Sequence, residues 1–253
     1  MSPLQSKPQP PKQTIRRQTK SGVTPLSFGQ QRMWFLQQLD PECPVYNTYR
    51  IWRVRGALNV AALRKAFETI VERHEVLRGV IQVIDGKAYQ VTNEDWTFQF
   101  PCIDLRESAS EAPETAAREI ARQEAKTPFD LSRGPLFRVT LLRLDDEDHV
   151  VLISMHHIIT DGWSFGVLYR EISTLYQAFE GGGSSPLPDL PLQYGDYALW
   201  QQDFIQRTRL EKLFTYWRRQ LADWIPLQLP TDRIRTSLST FKGERQGRTL
   251  PKR

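Results

Sequence analysis

A short apolar run, VVLISM at residues 150–155, constrains the fold of this 253-residue chain more than any other stretch. The polar turn DDED precedes the run, and two adjacent histidines, His156 and His157, follow it. A run of this length after a turn predicts a β-strand, whose successive side chains point to opposite faces of a sheet. Both faces are mainly apolar here, so we expect the strand to be covered on both sides.

The surrounding sequence alternates between strand and helix patterns. PLFRVTLLRL predicts the antiparallel partner across DDED, and Asp85-Gly86 between two apolar runs predicts a β-hairpin. YNTYRIWRVRG and TFQFPCI predict two more strands. The fold class is therefore α/β, an α+β two-layer sandwich with a mixed, largely antiparallel sheet packed by helices. Helices are expected after the N-cap Ser27, over Val60 to Arg73, over Pro113 to Lys126, around Leu168 to Phe179, over Gln193 to Gln206 and over Leu210 to Leu221.

Charge and composition exclude several classes of function. The formal charge is +5, but residues 1–20 and 231–253 carry +5 each, so the body between them is mildly acidic and offers no face that follows phosphates. Cys43 and Cys102 lack the spacing of a zinc site or disulfide framework. No run of about 18 apolar residues occurs, so no membrane span is expected. We expect a cytoplasmic protein without a nucleic-acid or membrane partner.

The paired histidines allow three interpretations. Adjacent strand residues diverge, so the pair does not chelate one metal ion well, and no metal site is expected. A buried histidine can also be purely structural, with both ring nitrogens bonded to neighbours. The pair taken together with DGWS favours proton transfer beside a cavity. Asp161 is either a helix cap, with Ser164 as a competing cap, or one half of a buried ion pair. Gly162 allows a positive φ angle or a close backbone approach.

Four motifs, in order, carry a resemblance to a known family. They are LSFGQQRMWFLQQL, ERHEVLRGV, MHHIITDGWS and YGDYALWQ, spread from about residue 24 to residue 201. In this order they resemble the motifs of the condensation domains of nonribosomal peptide synthetases, which share the fold of chloramphenicol acetyltransferase. HHIITDG matches the HHxxxDG signature of that family.

The resemblance implies a reaction and a set of site residues. An amino acid held as a thioester on one carrier protein attacks a second carrier-bound thioester, and an amide forms. His157 is implied as the catalytic residue, either as a base or as a group that positions the amine. Gly162 would offer its N–H to the oxyanion, and Asp161 would orient the loop through an arginine, for which Arg73 and Arg78 are candidates. His156 is a further supporting residue. No cofactor is expected to bind directly, because substrates arrive on the 4′-phosphopantetheine of partner carrier domains.

The resemblance also implies a division of the chain. We expect a disordered basic leader at 1–22, the N-terminal lobe of the domain at 23–180, a linker at 181–192, a helical segment with the fourth motif at 193–230 and the start of a C-terminal lobe at 231–253. Without the second lobe or companion synthetase modules, activity is expected to be lost or much weakened. Two alternatives are a standalone acyltransferase that uses coenzyme A thioesters and an inactive remnant that docks carrier proteins.

Overall fold

The computed structural model describes residues 14–17, 22–106, 112–206 and 210–232. The chain divides into two compact units, Met1–Thr208 and Arg209–Arg253. Most of the predicted leader and of the predicted segment 231–253 lies outside the described residues. The predicted linker at 181–192 contains neither helix nor strand, but it lies inside the first unit.

Within the described residues, strands and helices follow the expected order closely. Two elements differ from expectation: TFQFPCI contributes a strand only from Cys102, and a short strand before the first helix was not predicted. The strands are β1 Val23–Pro25, β2 Asn47–Arg55, β3 Gly79–Ile84, β4 Lys87–Thr92, β5 Cys102–Asp104, β6 Phe137–Asp145 and β7 Asp148–His156. The helices are α1 Phe28–Leu39, α2 Val60–Arg73, α3 Pro113–Lys126, α4 Gly162–Glu180, α5 Tyr194–Gln206 and α6 Leu210–Gln220.

The strands form two sheets where the sequence pattern predicted one. The larger sheet has the order β2-β7-β6-β5; its pairs are antiparallel except for the parallel pair β5-β6. The smaller sheet has the order β1-β4-β3 and is antiparallel. Its hairpin turns at Asp85 and Gly86, which have φ angles of 49° and 74°, as a two-residue turn with both central residues left-handed requires. The mixed α/β class is confirmed, with the sheet divided in two.

Both faces of β7 are covered, as its double-sided apolar pattern predicts. Val151, Ile153 and Met155 point into the main core, which α2 and α4 also line. Val150 and Leu152 point to a smaller cluster under α3. β7 therefore lies in the interior of the first unit, and its C-terminal end is held in a fixed position between two packed layers.

The second unit contains α6 among its described residues. No helix in the described part of the chain is long and apolar enough to cross a membrane.

Candidate active site

The end of β7 places the two adjacent histidines in opposite environments. His156 is the last residue of the strand and is 1% exposed, whereas His157 lies just beyond it and is exposed. The backbone N–H of His157 donates to the carbonyl of Tyr46 at 2.8 Å, which fixes the start of the loop. The prediction that the two rings diverge is confirmed.

His156 has both ring nitrogens occupied by protein partners. The N–H of Ile158 donates to Nδ1 at 3.1 Å, so Nδ1 carries no proton and Nε2 does. Nε2 lies 3.3 Å from Oε1 of Gln37, whose amide nitrogen donates to the carbonyl of Pro41 at 2.7 Å. Burial, and then the neighbouring His157, lower the pKa of His156 to about 4. His156 is therefore a neutral, structural ring.

His157 has the opposite tautomer. Its Nδ1 lies 2.5 Å from the carbonyl oxygen of Thr160. A carbonyl only accepts hydrogen bonds, so Nδ1 carries the proton. In the neutral ring Nε2 then keeps an exposed lone pair, for which the described residues provide no hydrogen-bond partner. The Thr160 carbonyl thus fixes both the tautomer and the orientation of a ring that presents a proton acceptor.

Asp161 is the N-cap of α4, and this settles the choice between its two interpretations. Its carboxylate accepts from the backbone N–H of Ser164 at 2.8 Å and from the Ser164 hydroxyl at 2.6 Å. Ser164 Oγ in turn accepts from the N–H of Asp161 at 3.3 Å, which completes a capping box. The hydrogen bonds from Ser164 are the main reason that the pKa of Asp161 is lowered, and His157 adds to the effect. Ser164 thus reinforces the cap and does not compete for it.

Gly162 is the first residue of α4, and it does not adopt the positive φ angle that was one of its two expected uses. It lies outside the positive-φ glycines, and an added Cβ would meet nothing within 4 Å. Backbone strain therefore does not require glycine here. The first N–H groups of a helix have no intrahelical acceptor, and no described residue provides a hydrogen-bond acceptor for the Gly162 N–H.

The expected pairing of Asp161 with an arginine is wrong for the described part of the chain. Arg73 lies 3.3 Å from Glu171 in an ion pair, measured from Nε to Oε2. Arg78 donates to the backbone carbonyls of Val71 and Glu72 at 3.1 and 3.3 Å. Arg73 therefore connects the end of α2 with α4, and Arg78 donates back to the end of α2; neither is paired with Asp161 among the described residues.

A cavity of about 560 Å³ opens beside His157. Its walls are mainly apolar and come from α1, α2 and the segment after it, the end of β7 and the loop that follows, α4, and the stretch that leads into α5. Trp163 is one of the lining residues, and 83% of its surface is exposed. In the described residues no group of three or more metal-ligating side chains occurs. The lining includes Met33, Ile70, His74, Leu77, Met155, His157, Asp161, Trp163, Ser164, Val167, Leu168, Leu192, Gln193 and Tyr194.

Sequence reasoning missed the groups that hold the two histidines. Thr160 acts through its backbone carbonyl, which any residue type would provide, so the sequence carries no signal for this contact. Gln37 is an ordinary member of a helical pattern, and its distance of 119 positions from His156 hid the contact. Only the position of Gln37 in the first motif could have drawn attention to it.

A protein-family comparison matches the family model "Condensation domain" to residues 20–253. One polypeptide of the linear gramicidin synthase of Brevibacillus parabrevis is 42% identical over 225 residues, which are 88% of this chain and 3% of that protein. Phosphinothricin tripeptide synthetase of Streptomyces viridochromogenes is 40% identical over 237 residues, which are 93% of this chain and 22% of that protein. The chain thus spans a small part of both relatives.

Solved structures agree in fold. The X-domain from teicoplanin biosynthesis superposes with a TM-score of 0.76 at 27% identity, over 89% of this chain and 49% of that one. The starter condensation domain of rhizomide synthetase superposes with a TM-score of 0.73 at 24% identity, over 80% of this chain and 48% of that one. The chain spans about half the length of each solved chain.

Proposed function

The chain belongs to the condensation-domain family of nonribosomal peptide synthetases, and from this premise we propose that it forms amide bonds between two carrier-bound thioesters. The observation that carries the proposal is the tautomer of His157. Its Nδ1 is fixed by the Thr160 carbonyl at 2.5 Å, and Nε2 is left as an accessible acceptor beside an open cavity. An attacking amine needs such an acceptor for the proton that it loses.

The proposed reaction balances with this single acceptor. The amine nitrogen of one aminoacyl thioester attacks the carbonyl carbon of the other, and a C–N bond forms as the C–S bond breaks. The nitrogen's proton passes to Nε2 of His157 and then to the departing thiolate. An α-amino group with a pKa of about 7.7 to 8.0 is mostly protonated near neutral pH. A nearby base therefore assists both before the attack, when the ammonium group loses its proton, and during it, when the attacking nitrogen loses another.

The N-terminus of α4 is suited to the charge that develops on the carbonyl oxygen. The Asp161 side chain accepts from the Ser164 N–H, whereas no described residue provides an acceptor for the Gly162 N–H. The positive end of the helix dipole adds to its effect on a negative oxygen. We propose that Gly162 N–H binds the tetrahedral oxyanion and that the absence of a Cβ gives the substrate room.

We propose that both substrates reach His157 on the 4′-phosphopantetheine arms of aminoacyl or peptidyl carrier domains. The mainly apolar walls of the cavity suit an uncharged thioester arm. Of the described residues that line it, Arg32 is the only lysine or arginine. A coenzyme A enzyme would need more cations for its phosphates, so this lining disfavours the standalone acyltransferase. A cytoplasmic location, where carrier-dependent synthesis takes place, is part of the same proposal.

We propose further that a second half, such as the remainder of the solved condensation-domain chains, closes the site. The cavity is open and Trp163 is almost fully exposed. For amide formation to outcompete hydrolysis of the thioester, the reactants must be held in position and water must be excluded. The second half would supply the opposite wall.

The test measures amide formation between two loaded carrier proteins, using the chain alone and the chain with a condensation-domain second half supplied as a separate polypeptide. We expect product only with the second half and only with His157 intact. His156→Gln, which alters the buried neighbour, is the matched control for a general effect on the loop. Amide formation by a folded His157→Ala variant at the unaltered rate would overturn the assignment.

A further inference from the structure

His74, which the sequence marks only as a member of the second motif, lines the same cavity as His157. Its Nε2 lies 2.7 Å from Oε2 of Glu171, and its side chain is 23% exposed. A carboxylate accepts the proton of Nε2, so the neutral ring keeps a bare Nδ1. No described residue provides a hydrogen-bond partner for Nδ1, and His74 is among the residues that line the cavity.

The pair formed by His74 and Glu171 lies at a distance from the reacting centre. Ser164, Val167 and Leu168 of α4 line the cavity. Glu171 continues the same stripe, since residues three and four apart share a helix face. Nine residues separate Gly162 from Glu171, which is about 14 Å along the helix axis. The lining thus follows the first turns of α4: His157 lies before the start of the helix, and His74 marks a second end, where it contacts Glu171 just beyond Leu168.

The charged groups around His74 limit which ligand groups could bind there. Arg73 lies 3.3 Å from Glu171, and its side chain is 13% exposed, so one cation and one anion offset each other. The side-chain amide of Gln193 is already engaged, donating to the Arg73 carbonyl at 2.9 Å and accepting from the Glu75 N–H at 3.2 Å. Beside this charge-balanced pair, the neutral form of His74 would present Nδ1 as an acceptor.

We propose that His74 is a specificity-determining residue that selects an aminoacyl group with a long, mainly apolar side chain ending in a neutral hydrogen-bond donor. A phenol hydroxyl, an indole N–H or a carboxamide N–H fits this description. The apolar stretch of α4 covers the body of the side chain, and Nδ1 of His74 accepts its terminal proton. The inference rests on the proposed function for the nature of the ligand as an aminoacyl thioester.

The test compares binding of tyrosyl- and phenylalanyl-N-acetylcysteamine to the 253-residue chain, because these thioesters differ by one hydroxyl. We expect the tyrosyl compound to bind about fivefold more tightly, as one net hydrogen bond predicts. His74→Phe should abolish this preference. Glu171→Gln, which still offers an acceptor to Nε2, should retain it. Thermal unfolding of each variant separates a loss of preference from a loss of fold.

Equal affinity of the wild-type chain for the two thioesters, or binding of neither, would overturn the inference without reference to any variant. An unchanged preference in a folded His74→Phe variant would do the same. A purely structural histidine would lower the unfolding temperature and leave the ratio of affinities in place. If amide formation depends on His157 but the chain binds the tyrosyl and phenylalanyl thioesters equally well, the inference about His74 fails and the proposed function stands.

Discussion

The two ends of β7 differ in how their polar groups are paired. At the turn that precedes the strand, Asp148 accepts two hydrogen bonds from Arg53 at 2.9 and 2.6 Å. Asp146 accepts from Arg106 and Arg143 at 2.6 Å each. At the other end, no described residue provides a hydrogen-bond partner for Nε2 of His157, whose Nδ1 is held by the Thr160 carbonyl. The carboxylates of the turn thus pair with nearby arginines, whereas the opposite end of the strand leaves a ring acceptor open to solvent.

His149 shows that an unoccupied nitrogen is not sufficient for function. It lies at the turn end of β7, is 3% exposed, and its buried Nδ1 has no hydrogen-bond partner among the described residues. Burial is the main reason that its pKa is lowered. No substrate reaches this ring. Open access together with an unoccupied acceptor is therefore what distinguishes His157 from the other two histidines of the strand region.

The largest expected effect comes from removing the ring at the site end. His157→Ala should reduce amide formation, measured with the second half supplied, by about 100-fold to 10,000-fold, because a positioned general base contributes that much. Its unfolding temperature should stay close to that of the wild type, since His157 is exposed. A reduction of less than about tenfold would mean that the ring is not the proton acceptor.

The buried neighbour should affect stability as a function of pH. The pKa of His156 is lowered to about 4 from 6.5, so between these values the unfolded chain binds a proton that the folded chain does not. Stability should therefore fall as pH falls through this window, by on the order of 3 kcal/mol from this group. Urea unfolding of the wild type and of His156→Gln checks this. Parallel pH profiles for the two proteins would show that His156 is not the buried neutral ring described above.

The cap of α4 should make a smaller contribution. Asp161→Ala should lower the free energy of unfolding by about 1 kcal/mol, the usual effect of losing an N-cap, while Asp161→Asn retains an acceptor and serves as the control. The pKa of Asp161 is lowered in the folded chain, so its contribution is present above the ordinary value of 3.8 and is lost as pH falls through the lower, folded value. An alanine variant as stable as the wild type at neutral pH would contradict the capping role.

The smallest effect is expected at the turn end. Asp148→Asn weakens the charge-assisted contact with Arg53, but that pair is solvent-exposed and such pairs contribute little. Amide formation by this variant should equal that of the wild type. A large loss of activity would show that the two ends of β7 are coupled, and the contrast drawn between them would no longer hold.

Much of the fold follows from patterns that act over short distances. The N-cap Ser27, the Asp85-Gly86 hairpin and the bounds of α2 and α3 match their predicted positions because propensity and capping are local. The division into two sheets was missed because strand pairing depends on distant partners. Phe98 and Phe100 pack against Phe67 in an aromatic cluster, which explains why TFQFPCI forms a strand only at its end.

The site was predictable in its side chains and not in its contacts. His156, His157, Asp161 and Gly162 stand in one motif, so their proximity is set by the sequence itself. The tautomers depend on the carbonyl of Thr160 and on Gln37, and neither contact is encoded in a local pattern. The predicted contact between Asp161 and an arginine was wrong for the same reason, because Arg73 pairs with Glu171, a residue distant in sequence.

The most direct test of the central claim is long-range ¹H–¹⁵N NMR of the histidine rings at alkaline pH, where imidazoles are neutral, with His156→Gln and His157→Ala used for assignment. We predict opposite tautomers in adjacent residues, with the proton on Nε2 in His156 and on Nδ1 in His157. A proton on Nε2 of His157 would contradict the account, because the ring would then present a donor where the reaction needs an acceptor.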